Sequence, residues 1–283
     1  MESLSAPPTY VPAVQSSLSN LRVRLREIQS ATRGRKFGLK DRRTVDPPPV
    51  VQLHAYRTVR DASGIYEVEV EDYSRLEVSG LICHIDLFPL PASPHAVPIP
   101  VTNAACMPSP ASAMSHDEFA QPDWPMTSPN GLSEEMPVPL TVMPIQEFTG
   151  PDPVIAWVNG APVRASDSIT SDAIGARAVE AMRLRYDNKT MIVFTFSDLA
   201  IRRVGSCFFR YKAFDLRSPT TGSVAGAGSG PIAMLGDCYA RCSTVIYDTK
   251  SFPGLQYSTS LSQAISNQSE GQRPRVRIPK TRQ

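Results

Sequence analysis

Fifteen of the chain's 27 prolines fall between Pro89 and Pro153, within 65 of its 283 residues. Proline has no amide donor and a fixed φ, so a segment this rich in it sustains neither a helix nor a strand ladder. Ser, Met and Ala are scattered between the prolines with no helical or strand period. The segment is therefore expected to be a disordered insertion. Only three or four strands are readable before it, and neither side looks complete alone, so it is expected to interrupt one domain rather than separate two. The single domain then covers residues 21–280, interrupted at 89–153, with a disordered leader at 1–20 that is rich in Ser, Pro and Ala and a short tail at 281–283.

Outside the insertion the period is two. Leu21, Val23 and Leu25 alternate with Arg22, Arg24 and Arg26, the pattern of a strand with one buried face. Residues 50–56 and 65–70 continue it, and residues 76–88 hold another strand. After the insertion, strands are expected over 154–158, 191–196, 206–216, 238–249 and 275–278. Two short helices are expected, over 176–185 and over 258–266, the second capped by Ser258 or Thr259. Short strands at this spacing with so few helices predict an all-β fold, a β-sandwich.

Catalytic chemistry finds little support. The chain has no Gly-x-Ser-x-Gly elbow, no His-Glu-x-x-His and no Gly-x-x-x-x-Gly-Lys-Ser/Thr. His95 and His116 fall in the insertion, and His54 and His84 sit alone at strand positions. Cys83, Cys207, Cys238 and Cys242 have only a loose ligand spacing, and at alternating strand positions cysteine behaves as a small apolar residue. The glycine-rich run 222–230 contains no basic residue, and Pro231 follows where a phosphate site requires a helix N-terminus. No enzyme activity, cofactor or metal is expected. No apolar run approaches the roughly 18–20 residues that span a bilayer, and residues 1–20 lack the features of a secretory signal. Five cysteines, an odd number, fit a reducing compartment, so a soluble intracellular protein is expected.

Charge is where the sequence is unusual. The net charge is only +2, yet nine basic residues stand against two acids between Arg22 and Arg43, a local +7. Five basic residues and no acid between Arg273 and Gln283 add +5, which leaves −10 for the remainder. Such segregation favours a localised contact with a polyanion. Its densest part is one loop, where Arg33, Arg35, Lys36, Lys40, Arg42 and Arg43 fall within eleven residues, bounded by a strand and by the stiff Pro47-Pro48-Pro49 run. Arg and Lys at this density suit phosphate oxygens, Arg through forked contacts. A solvated charge run or an import signal accounts for the same residues equally well.

Three blocks of sequence carry a family resemblance. Gly38-Leu-Lys-Asp-Arg-Arg-Thr-Val-Asp-Pro-Pro-Pro-Val-Val-Gln-Leu53 is the first. The second is Phe194-Thr-Phe-Ser-Asp-Leu-Ala-Ile-Arg-Arg-Val-Gly205 with Phe209-Arg-Tyr-Lys-Ala-Phe-Asp-Leu216. The third is Tyr247-Asp-Thr-Lys-Ser-Phe-Pro-Gly-Leu255 with Ser258-Thr-Ser-Leu-Ser262 and Arg275-Val-Arg-Ile278. In this order the chain resembles the velvet-domain regulators of fungi. It departs from them in the segment between Arg26 and Lys40, which lacks the family's Gln-Pro and Cys-Gly pairs, and at Ser206-Cys207-Phe208. The resemblance implies an immunoglobulin-like sandwich similar to the Rel-homology domain, which binds double-stranded DNA through loops at one end. It implies a nuclear regulator of fungal development, sporulation and secondary metabolism, with shuttling to the cytoplasm left open. Such proteins act as homodimers or heterodimers with other velvet proteins, and one branch associates with a methyltransferase-like regulator. The DNA-contact role carries onto Lys40, Arg42 and Arg43, and by extension onto Arg35 and Lys36, with Arg33 at the edge of the same loop. The rival expectation is a dimer partner or scaffold that reads no DNA and recruits other velvet proteins or modifiers.

Overall fold

The computed structural model describes residues 18, 21–38, 43–61, 64–91, 137–144, 151–219, 232–269 and 273–279. In chain order the strands are β1 (Arg22–Gln29), β2 (Arg33–Arg35), β3 (Val50–Asp61), β4 (Gly64–Glu69), β5 (Leu81–Pro89), β6 (Val142–Pro144), β7 (Val154–Val158), β8 (Ala161–Arg164), β9 (Ala173–Gly175) and β10 (Ala178–Glu180). They continue with β11 (Met182–Tyr186), β12 (Lys189–Thr195), β13 (Leu199–Ile201), β14 (Gly205–Pro219), β15 (Ile232–Tyr239) and β16 (Thr244–Tyr247), and a single α-helix, α1 (Ser260–Gln268), follows among the described residues.

Two sheets face each other. One has the order β1-β3-β12-β11, with β4 extending β3 as a hairpin. The other has the order β10-β5-β14-β16-β2, with β15 paired to β14. The alternation in β1 turns Val23 and Leu25 inward, and Leu53 and Ala55 of β3 join them. Leu81, Cys83, Ile85 and Leu87 of β5 and Phe209, Tyr211 and Ala213 of β14 meet them in one buried cluster, the core of an all-β sandwich. Smaller sheets, β6-β7-β8 and β9-β13, lie outside these two. On the outer face of the first sheet, α1 buries Leu261 and Ile265 against Val50, Leu184 and Val193. Thr259 caps the helix by accepting a hydrogen bond from the Ser262 amide at 3.0 Å.

A buried carboxylate joins the layers. Glu27 lies on the inward side of β1 and is 1% exposed. It accepts hydrogen bonds from the Tyr211 hydroxyl of β14 (2.7 Å), from the Arg241 amide (2.8 Å) and from Ser30. Burial pushes its carboxyl above the ordinary range, against the pull of these donors and of the Arg241 charge.

Four expectations are corrected. Residues 176–185 form no helix: β10 pairs with β5 of one sheet and β11 with β12 of the other, so the chain crosses between sheets there. Ladder hydrogen bonds override the weak helical spacing. Residues 275–278 form no strand, because Pro274 and Pro279 cannot donate to a ladder and Val276 and Ile278 face outward. Within the proline-rich segment, residues 137–144 are ordered into the fold, with β6 on β7 and Pro139 bridged to Cys242. The rest of that segment at 92–136 and 145–150, the leader apart from Leu18, and the glycine-rich run lie outside the described residues. The strand expected at 238–249 is divided, because residues 240–243 leave the ladder to bond Glu27 and Leu140.

Candidate nucleic-acid interface

The basic loop grows out of the edge of the second sheet. Its outgoing limb, β2, runs parallel to β16, with Arg33 opposite Val245 and Arg35 opposite Tyr247. Its returning limb bonds back onto it: Arg33 and Asp46 exchange backbone hydrogen bonds at 3.1 and 2.7 Å. Both limbs are pinned to neighbouring strands. The Lys36 amide donates to the Tyr247 carbonyl (2.8 Å), the Phe37 amide to Ile201 (2.7 Å) and the Val45 amide to Leu199 (2.8 Å). Gly34 is required at the centre of β2, since a Cβ there would lie 2.8 Å from Ile246 Cδ1 and 3.3 Å from Val45 Cγ1.

The described sequence-predicted residues separate into a half-buried base and exposed limbs. Arg33 and Arg35 are half-buried at the base, and Arg33 Nε has no hydrogen-bond partner among the described residues. Lys36 and Arg43 are exposed on the two limbs. Lys40 and Arg42 lie outside the described residues. The base is locked by Asp46, which is 4% exposed. Its carboxylate accepts from the Gln256 amide (2.9 Å) and pairs with the Arg277 guanidinium, which ties the C-terminal basic segment to the loop.

Two turns that composition did not single out flank the loop. The turn after β13 carries Arg202 and Arg203. Arg203 pairs with Asp172 at 2.9 Å, while the Arg202 guanidinium lies over the Phe37 ring, 6.0 Å from its centroid. The turn after β16 is organised by Asp248, whose Oδ1 accepts from the amides of Lys250 and Ser251 (both 2.7 Å) and from the Ser251 hydroxyl (3.0 Å). These donors, Ser251 foremost, hold the Asp248 carboxyl below the usual range. Lys250 is exposed. Both turns fall within the blocks that carry the family resemblance, but neither stands out in the sequence by its density of charge.

Elsewhere among the described residues, several titratable side chains serve to hold the fold together. His54 Nδ1 and the Tyr73 hydroxyl both meet Glu69 Oε1, at 2.8 and 2.9 Å. Burial raises the Glu69 carboxyl, yet these contacts outweigh it and hold the group low. Cys83, Cys207 and Cys238 are free thiols at strand positions, and burial pushes Cys207 up to about 12. Cys242 is disulfide-bonded. Among the described residues no group of three or more His, Cys, Asp or Glu could hold a metal. Two clefts, of about 620 and 510 Å³, are lined chiefly by Ala176 and residues 178–183 with Gln268, and by Leu140, Val142 and Pro144 with residues 237–241, and neither borders the basic loop.

An all-β sandwich with a basic loop rooted at one end is the class that fold and site define. Residues 23–278 match the family model described as Velvet factor, and the chain belongs to the velvet family. It is 30% identical over 261 residues to a probable velvet family sexual development regulator of Laccaria bicolor, covering 92% of this chain and 71% of that protein. It is 29% identical over 247 residues to a protein of the same description from Schizophyllum commune, covering 87% and 69%. Velvet complex subunit 2 of Gibberella moniliformis is 26% identical over 296 residues, covering 94% of this chain and 63% of the subunit.

Proposed function

We propose that this chain is a sequence-specific DNA-binding regulator of fungal sexual development. On this reading it works in the nucleus as a velvet homodimer or heterodimer and grips double-stranded DNA through the basic loop. The observation that carries the reading is a run of six cations in eleven residues whose described limbs are hydrogen-bonded to β16 and β13, with Lys36 and Arg43 exposed. Cations held this way contact phosphates without first losing the entropy of a free tail, and one or two arginines then reach base edges. The names of the Laccaria and Schizophyllum relatives support the developmental role.

The test is a salt-titrated DNA-binding assay on the whole chain and on the Lys40→Ala, Arg42→Ala, Arg43→Ala triple variant. If about five side chains each neutralise one phosphate, log K falls against log salt with a slope near −4.5, and the variant's slope is shallower by about 2.7. A flat salt dependence, or equal binding by both proteins, removes the loop as the DNA contact.

A second reading has its own support. Relatives from Gibberella and Fusarium are named velvet complex subunits, and Ile65, Tyr66 and Val68 of β4 are exposed, 62%, 45% and 43%. The chain then serves as a dimer partner, with or without a methyltransferase-like associate, and its basic run serves import. Co-expression with another velvet protein separates the two: DNA binding by the mixture alone, unchanged when this chain's loop charges are removed, supports the partner role.

A further inference from the structure

Three chain segments end at the same edge of the sandwich. β2 and β16 are parallel, so the residues after Arg35 and those after Tyr247 emerge side by side, joined by the hydrogen bond from the Lys36 amide to the Tyr247 carbonyl. β13 emerges beside them. Its Leu199 carbonyl bonds the returning limb at Val45, and its Ile201 carbonyl bonds the outgoing limb further out, at Phe37. Residues 202–204 therefore stand next to the loop, on the side opposite the 248–254 turn.

The charges on these flanking turns are not equally available. Arg203 is neutralised by Asp172, and Arg277, below the loop, by Asp46. Asp248 is exposed and ionised, but its Oδ1 is turned into its own turn by three donors. Arg202 is exposed, and its guanidinium lies over the face of Phe37, which orients it while leaving its N–H fork for an anion. Lys250 is exposed at the crest of the Asp248 turn, its backbone fixed by that carboxylate. One cation thus stands on each side of the loop, each on a braced backbone.

We infer that the nucleic-acid surface consists of three loops, with Arg202 and Lys250 contacting the phosphate backbone on either side of the basic loop. This inference rests on the DNA-binding reading and assigns its outer contacts. Neither residue reaches base edges, so both act on all sequences alike. Arg202 lies about 160 and Lys250 about 210 residues beyond the basic loop in sequence, so a duplex engages all three only on the folded domain.

The experiment is the same salt titration with an Arg202→Ala, Lys250→Ala double variant. An Arg57→Ala, Arg60→Ala variant serves as a control that removes equal charge. β3 runs away from the loop base, placing Arg60 ten residues, roughly 33 Å, from Val50. The expected result is a slope shallower by about 2 for the double variant, with the loss equal on unrelated duplexes, and a native slope for the control. The exchange Arg202→Lys, Lys250→Arg keeps the charge and restores the slope, which separates a phosphate contact from a folding defect. If the loop variant abolishes binding while the double variant keeps the native slope, the three-loop surface is overturned and the DNA-binding reading survives. If the native chain binds no DNA at any salt, both fall.

Discussion

Glu27 shows how one side chain can make folding depend on pH. In the unfolded chain its carboxyl titrates near its ordinary value of 4.5, while in the fold burial raises it. Between those two values the native state holds a proton that the unfolded state has released. Stability contributed by this group therefore falls as pH rises from about 4.5 through the folded value, and is level beyond it. Glu69 and Asp86, which their partners hold low, act in the opposite sense and lose their contribution as pH falls. Comparison with Glu27→Gln isolates the one group. The stability of the native chain relative to this variant is expected to decline as pH is raised from 4 to 8, read by urea unfolding at each pH. A difference that does not change with pH would mean that Glu27 ionises in the fold as it does in water.

At the scale of an element, β2 shows what three residues can impose. Arg-Gly-Arg leaves no room for a Cβ at the centre, and Ile246, 1% exposed, cannot withdraw into solvent. Gly34→Ala is expected to destabilise the chain by about 1–3 kcal/mol through overpacking, and to weaken DNA binding by shifting the limb that carries Arg35 and Lys36. A denaturation midpoint equal to that of the native chain would show that Ile246 has a second rotamer available. The sequence could not announce this constraint, since the atoms that crowd Gly34 come from residues 45 and 246. It did announce β1, β3 and β5, because each buries one face and its period-two pattern is written locally, and β4 by its alternation alone, although β4 buries neither face. Residues 176–185 were misread because their neighbours are two different sheets, and Ala, Met and Arg at helical spacing say nothing of that. The same division holds at the site. Arg33 to Arg43 were visible as a run, whereas Arg202 and Lys250 become part of a surface only once β2, β13 and β16 are aligned.

The whole domain closes on itself at Asp46. This carboxylate, beneath the basic loop, holds Gln256 and Arg277, while the Arg277 amide donates to Ser258 Oγ (2.9 Å) and its Nε to the Gln256 carbonyl (3.0 Å). The family match runs from residue 23 to residue 278, so this clasp joins an early part of the matched span to its last residues. Its cost when broken follows from burial. Removing one partner of a fully buried pair costs about 3–5 kcal/mol, and here the Arg277 side chain keeps 33% of its exposure, so Arg277→Ala is expected to cost about 2–3 kcal/mol, a fall in Tm of roughly 4–10 °C. The uncompensated Asp46 charge would then also oppose the cations above it. A cycle with Asp46→Asn, Arg277→Ala and the double variant measures the clasp itself, and the double is expected to cost less than the sum of the singles. In Arg277→Ala, DNA affinity should fall at constant loop sequence, and Asp46→Asn in that background should recover part of it by removing the opposing charge. Additive costs and unaltered affinity would mean that the loop is held by β13 and β16 alone, with the C-terminal segment only resting against it.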